Sequence, residues 1–136
     1  MDIMEANELT TILVADDEPS LRLLVTGTLR SNDYTLVEAA DGDEAWSLLQ
    51  ESHPAVALLD VQMPGKTGLD LTRAIKSDAE LSGTYVVLLT SKAQAADVSA
   101  GMAAGAERYL TKPFSPRALR EIVQDALKSR EEALEA

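Results

Sequence analysis

Val56-Ala57-Leu58-Leu59-Asp60 is an unbroken aliphatic run that stops on a carboxylate. A strand with one wet face alternates apolar and polar residues, so a run without alternation reads as a strand covered on both faces. Four more strand-like runs lie along the chain: Ile12-Leu13-Val14-Ala15, Tyr34-Thr35-Leu36-Val37, Tyr85-Val86-Val87-Leu88-Leu89 and Arg108-Tyr109-Leu110. Each is followed by a segment whose apolar residues recur at the helical spacing of three and four. Leu21, Leu24, Val25, Thr28 and Leu29 sit at i, i+3, i+4, i+7 and i+8 behind Pro19, which predicts a first helix and its buried stripe. Asp41 and Glu44 predict a capping box ahead of Ala45, Leu48 and Leu49, with Trp46 covering core. A third helix is expected around Leu69–Ile75, after the turn residues Pro64-Gly65-Lys66-Thr67-Gly68. An alanine-rich fourth runs from Gln94 to Ala104 and stops at Gly105. The fifth opens at Ser115-Pro116 and carries Leu119, Ile122, Val123, Ala126 and Leu127. Strict β-α alternation of this kind implies an α/β fold, a five-stranded parallel sheet with helices on both faces.

The chain's 136 residues suit one domain that buries roughly two-thirds of its unfolded surface. Twelve basic against 23 acidic residues give a net charge of −11, which disfavours direct nucleic-acid binding and an anionic membrane surface. The absence of cysteine excludes disulfides, a thiolate metal site and a cysteine nucleophile, and fits a cytoplasmic location. The opening Met1-Asp2-Ile3-Met4-Glu5-Ala6-Asn7-Glu8 has no apolar core of a signal peptide. Aliphatic runs such as Ala55–Leu59 fall far below the roughly 20 residues of a membrane span.

In a doubly wound sheet, ligands bind beyond the carboxyl ends of the strands. Those ends carry Asp16-Asp17-Glu18, Asp60, Thr90 and Lys112-Pro113. Three aspartates, a hydroxyl and an ammonium therefore converge on one edge. Crowded carboxylates repel, and the ordinary remedy is a hard dication such as Mg²⁺, Ca²⁺ or Mn²⁺. Three acids are too few for an all-protein calcium cage, which implies a phosphoryl ligand beside the metal. Asp60 can then act as a nucleophile toward phosphorus, with Lys112 and the Thr90 hydroxyl meeting the transferred oxygens.

With Asp16-Asp17, Leu59-Asp60-Val61-Gln62-Met63-Pro64-Gly65 plus Gly68, Leu88-Leu89-Thr90-Ser91 and Tyr109-Leu110-Thr111-Lys112-Pro113-Phe114 in this order, the sequence resembles the receiver domain of two-component response regulators. The resemblance covers about residues 11–128. It implies a flavodoxin-like (β/α)5 sheet of order 2-1-3-4-5. It also implies Asp60 as the phosphorylated residue and Mg²⁺, with Mn²⁺ as a substitute, on Asp16, Asp17, Asp60 and the Gln62 backbone carbonyl. Lys112 then pairs with the phosphoryl group across a cis bond to Pro113, and Thr90 and Tyr109 form the switch pair. The partners implied are a histidine kinase or histidine phosphotransfer protein and a downstream output protein or domain, met on the face of the fourth helix, fifth strand and fifth helix. Such a domain catalyses its own modification and hydrolysis without being a dedicated enzyme. Gln62 and Lys92 occupy the family's positions that tune hydrolysis. Glu107-Arg108 stands where many relatives carry paired acids for dimerisation, so a monomer or weak dimer is expected.

The chain thus divides into an N-terminal tail (1–10), the receiver domain (11–128) and a C-terminal helical extension or linker start (129–136). Three other functions fit less well. A nucleotide binder of this architecture cradles phosphate on a Gly/Ser/Thr-rich loop, whereas Asp16-Asp17-Glu18-Pro19 would repel it. A phosphohydrolase of the haloacid-dehalogenase type needs Asp-x-Asp after the first strand, where Glu18 stands, and a cap segment. A receiver used only for docking would not need Asp17, Asp60, Thr90 and Lys112 together. His53 precedes the third strand, at the edge away from the acids, and reads as a surface loop residue rather than a phosphohistidine.

Overall fold

The structure, a computed structural model, describes residues 10–31, 33–91 and 95–135. Five strands alternate with five helices: β1 (Thr10–Ala15), α1 (Pro19–Leu29), β2 (Tyr34–Ala39), α2 (Gly42–Ser52), β3 (Val56–Asp60), α3 (Gly68–Ser77), β4 (Tyr85–Ser91), α4 (Ala95–Ala103), β5 (Arg108–Lys112) and α5 (Pro116–Glu135). All neighbouring strands are parallel, in the order β2-β1-β3-β4-β5. The fold class and strand order are those expected. Thr10, assigned above to the tail, is the first residue of β1 and pairs with Tyr34. The rest of that tail, Lys92 and Gln94 lie outside the described residues.

Every residue of β3 is buried, because it sits centrally with helices on both faces. Alternation along the strands sorts side chains into two cores. Leu13, Ala15, Ala57, Leu59, Val86 and Leu88 pack with Ala45 and Leu49 of α2 and Leu71 and Ile75 of α3. Ile12, Val14, Val56, Leu58, Val87 and Leu89 pack on the other side with Val25 and Leu29 of α1 and with Leu119, Ile122, Val123 and Ala126 of α5. Trp46 leans on the first core, as its place in α2 suggested.

Local details depart from the sequence pattern in three places. Leu24, expected in the stripe of α1, is 45% exposed, and Thr26 is buried beside Val25, its hydroxyl bonded to the Leu23 carbonyl. Burial in α1 centres on Val25, Thr26 and Leu29, so the i+3 edge of the expected stripe faces water. Asp41 caps α2 through the Glu44 N–H, but the Glu44 carboxylate accepts from Ala40 N–H rather than from the cap residue. A complete capping box instead opens α3, where Thr67 and Asp70 bond each other's backbone N–H. α4 closes at Ala103, and Gly105 takes the positive φ of 114° that L side chains avoid. His53 ends α2 in a left-handed conformation and faces Glu80 at 3.7 Å, a surface position as expected.

Gly68 begins α3 where the helix crosses the end of β3, and a Cβ there would run into the Asp60 carbonyl and the Val61 backbone. Neither obstacle is a flexible side chain, so Gly68→Ala should destabilise the fold by about 3 kcal/mol. Gly27, exposed inside α1 with open space around it, should behave oppositely. Gly27→Ala should stabilise by about 1 kcal/mol through helix propensity. Urea unfolding of both variants checks the pair.

Candidate functional site

Strand register brings the acids together. Ala15 pairs with Leu59, so Asp16 and Asp60 lie side by side on adjacent strand ends about 5 Å apart. Asp16 continues the row Ile12, Val14 and Asp60 the row Val56, Leu58, while Lys112 follows Leu110; all three belong to the α1/α5 side. Thr90 continues Val86 and Leu88 toward the opposite side. The carboxylates of Asp16, Asp17 and Asp60 offer oxygens that all lie within 4.8 Å of one another.

The three acids are not equivalent. Asp16 is 0% exposed and every polar atom it has is engaged. Its N–H donates to the Ala39 carbonyl at 3.1 Å and its carbonyl accepts from Arg22 Nη1 at 2.6 Å. Its Oδ1 accepts from Glu18 N–H at 2.9 Å and its Oδ2 from Lys112 Nζ at 2.9 Å. Asp60 is 5% exposed, with Oδ1 accepting from Gln62 N–H at 3.3 Å and Oδ2 3.4 Å from Lys112 Nζ. Asp17 faces water.

Burial first, and the neighbouring Asp16 charge second, push the Asp60 carboxyl up to about 6, against the pull of Lys112. Burial works against the Lys112 ammonium, but the hydrogen bond to Asp16 and the charges of Asp60 and Asp16 outweigh it and hold it above its ordinary value. The acids thus carry more negative charge than one lysine offsets. Closely spaced carboxylate oxygens with a surplus of charge suit a hard divalent cation such as Mg²⁺, so the donor set fits the metal implied by the sequence.

A cleft of about 490 Å³ opens over this edge, lined by Asp17, Glu18, Asp60, Gln62, Met63, Pro64, Ser91 and Lys112. Thr90 is buried and lines the adjoining cavity of about 580 Å³ together with Tyr109, Val98 and Met102. The structure therefore joins Asp16, Asp17, Asp60, Gln62 and Lys112 in one cluster and sets Thr90 and Tyr109 beside it. Tyr109 is 48% exposed, its ring outside the core. Ser91, at the rim of the cleft, is legible in the sequence only as the end of the Leu88-Leu89-Thr90-Ser91 motif, since no side-chain pattern marks it as part of the lining. The Lys112–Pro113 peptide is cis, as expected. A further cavity of about 500 Å³ lies at the opposite pole, among Thr10, Tyr34 and Leu127, away from these groups.

Glu107 is occupied within the fold, accepting from Lys76 Nζ at 2.8 Å and from Val86 N–H at 2.8 Å. Arg108 faces Asp125 of α5 at 3.6 Å. Among the described residues no helix is long and apolar enough to cross a membrane.

Residues 12–124 match the profile of the response regulator receiver domain. The chain is 37% identical over 121 residues to the DNA-binding response regulator MtrA of Mycolicibacterium smegmatis, across 89% of this chain and 52% of that protein. It thus spans about half the length of that relative. It is also 34% identical over 129 residues to histidine kinase P4 of Formosa agariphila, covering 95% of this chain and 9% of the kinase. Among solved structures, the chemotaxis response regulator CheY4 of Vibrio cholerae superposes with a TM-score of 0.80 at 32% identity, over 88% of this chain and 99% of that one.

The elevated Asp60 carboxyl has a definite thermodynamic sign. Its folded value, about 6, exceeds the unfolded 3.8, so the folded state binds the extra proton and loses stability as pH rises between these values. Asp60→Asn should therefore melt above the wild type at pH 7 without divalent metal, and the gap should close as pH falls from 6 to below 4. Carbon-detected titration of the Asp60 carboxyl should give a midpoint near 6 that climbs further in Lys112→Met.

Proposed function

Because the chain belongs to the response regulator receiver domain family of two-component signalling, we propose that Asp60 is its phosphoryl acceptor, charged from a phosphohistidine of a histidine kinase or phosphotransfer protein. The observation that carries this reading is the pairing of a nearly buried carboxylate at a strand end with Lys112, inside a cleft open to an incoming phosphoryl group. One Asp60 oxygen attacks phosphorus as the P–N bond to the donor imidazole breaks, leaving an acyl phosphate on the chain and the nitrogen lone pair on the donor. At neutral pH Asp60 is mostly ionised, so the nucleophile needs no separate base. Lys112 already stands 3.4 Å from Asp60 and can follow the new phosphoryl oxygens.

Asp16, Asp17, Asp60 and the Gln62 carbonyl would hold Mg²⁺, with Mn²⁺ as a substitute. A bound dication supplies neutralisation of the charge that gathers on the phosphoryl oxygens. Thr90 donates its hydroxyl to the phosphoryl group, and Tyr109 leaves its half-exposed position for the space that α4 and β5 enclose beside Thr90. The change is read on the face of α4, β5 and α5. A receiver is a signalling module and not a dedicated enzyme. In this reading the chain works in the cytoplasm as a monomer or weak dimer, contacts no nucleic acid directly, and passes its state to an output protein or domain. The engaged Glu107 and Arg108 support the weak self-association.

Incubation with acetyl phosphate and MgCl2, followed by peptide mass spectrometry, should place one phosphoryl group on Asp60. Asp60→Asn should take up none, and excess chelator should abolish labelling of the wild type. Thr90→Ala and Lys112→Ala should keep the fold yet lose most of the NMR shift that beryllofluoride, an acyl-phosphate mimic, induces around Tyr109. Labelling elsewhere, or labelling indifferent to the chelator, would contradict the assignment.

A further inference from the structure

Arg22 lies outside the cleft, yet it holds the loop from which the acids project. Its Nη1 donates to the Asp16 carbonyl at 2.6 Å, its Nε lies 3.5 Å from Glu38 Oε1, and its side chain is only 18% exposed. On the other side of the same residue, the Asp16 N–H is tied to Ala39 of β2. The Asp16 carbonyl belongs to the peptide plane that leads into Asp17, so the guanidinium fixes the plane from which the water-facing carboxylate extends. The Asp17 carboxylate faces water, and the backbone that carries it is the one Arg22 grips. Glu38 faces the Nε side of the same guanidinium as an ion pair.

We propose that Arg22 is a positioning residue for the cation site, acting through the Asp16 main chain to aim Asp17. The inference rests on the reading of Asp16, Asp17 and Asp60 as a divalent-metal site. Charge and position predict opposite outcomes. A guanidinium acting only as a nearby positive charge repels a dication, so its removal would tighten binding. A guanidinium that holds the ligand loop lets the loop drift when removed, and groups that orient metal ligands typically cost about tenfold or more in affinity when lost.

Calorimetric titration of MgCl2 into the full chain decides between them, with melting temperatures recorded alongside. Wild type should bind, and Arg22→Gln should bind about tenfold more weakly at a temperature where it is folded. Arg22→Lys keeps the charge but loses the fork, and its affinity should fall between the two. Folded variants that match or exceed the wild-type affinity would overturn the positioning role while leaving the metal site intact. If Arg22→Gln does not fold, Arg22→Lys decides alone, because a pure charge effect leaves its affinity unchanged. A wild type that takes up no Mg²⁺ would overturn the metal reading and this inference together.

Discussion

The ammonium of Lys112, set between Asp16 and Asp60, is the contact on which the rest of the site depends. Two nearly buried carboxylates on adjacent strand ends would repel strongly in a region short of water. Lysine comes to them from β5, reaching across the ends of β3 and β4, so the pair ties residues 96 positions apart. Its Nζ sits closer to Asp16 than to Asp60, and the buried acid takes the stronger share. Asp60 keeps the weaker hold and the elevated carboxyl, which leaves it the acid most open to new chemistry.

This asymmetry follows from where each acid lies. Asp16 is enclosed because α1 turns back over the end of β1, and its four polar atoms are met by Ala39, Arg22, Glu18 and Lys112. Asp60 ends β3 beneath Gly68, whose missing side chain lets α3 start against the strand. The cores on both faces hold the strands in register, and register sets the spacing of the acids. Local disagreement between charge and burial at one edge of a well-packed sheet is the usual mark of a working site.

Much of this was legible in the sequence because unalternating runs such as Val56–Leu59 admit few environments, and parallel strands put their last residues on one edge. That ground alone groups Asp16, Asp60 and Lys112. The different burial of Asp16 and Asp17 was not legible, since neighbouring identical residues carry no label for which one turns inward. Spacing puts Leu24 in the core stripe, because it gives the period of a helix and not the angle at which the stripe stops. Asp41 and Glu44 read as a capping box, yet the complete one opens α3 at Thr67 and Asp70, inside a stretch that reads as plain turn. The Arg22 contact spans six residues to a backbone atom, and no side-chain pattern encodes that.

The folded chain gathers negative charge at Asp16, Asp17 and Asp60, and a divalent cation would relieve it. The most direct measurement is the melting temperature with and without MgCl2 at pH 7 and again at pH 5. At a free metal concentration about a hundred times the dissociation constant, binding to the folded state alone is worth about 2.7 kcal/mol. The melting temperature should rise clearly with MgCl2 at pH 7 and less at pH 5, where Asp60, with its carboxyl near 6, is largely protonated. A melting temperature indifferent to MgCl2 at pH 7, or an increment that grows at pH 5, would contradict it.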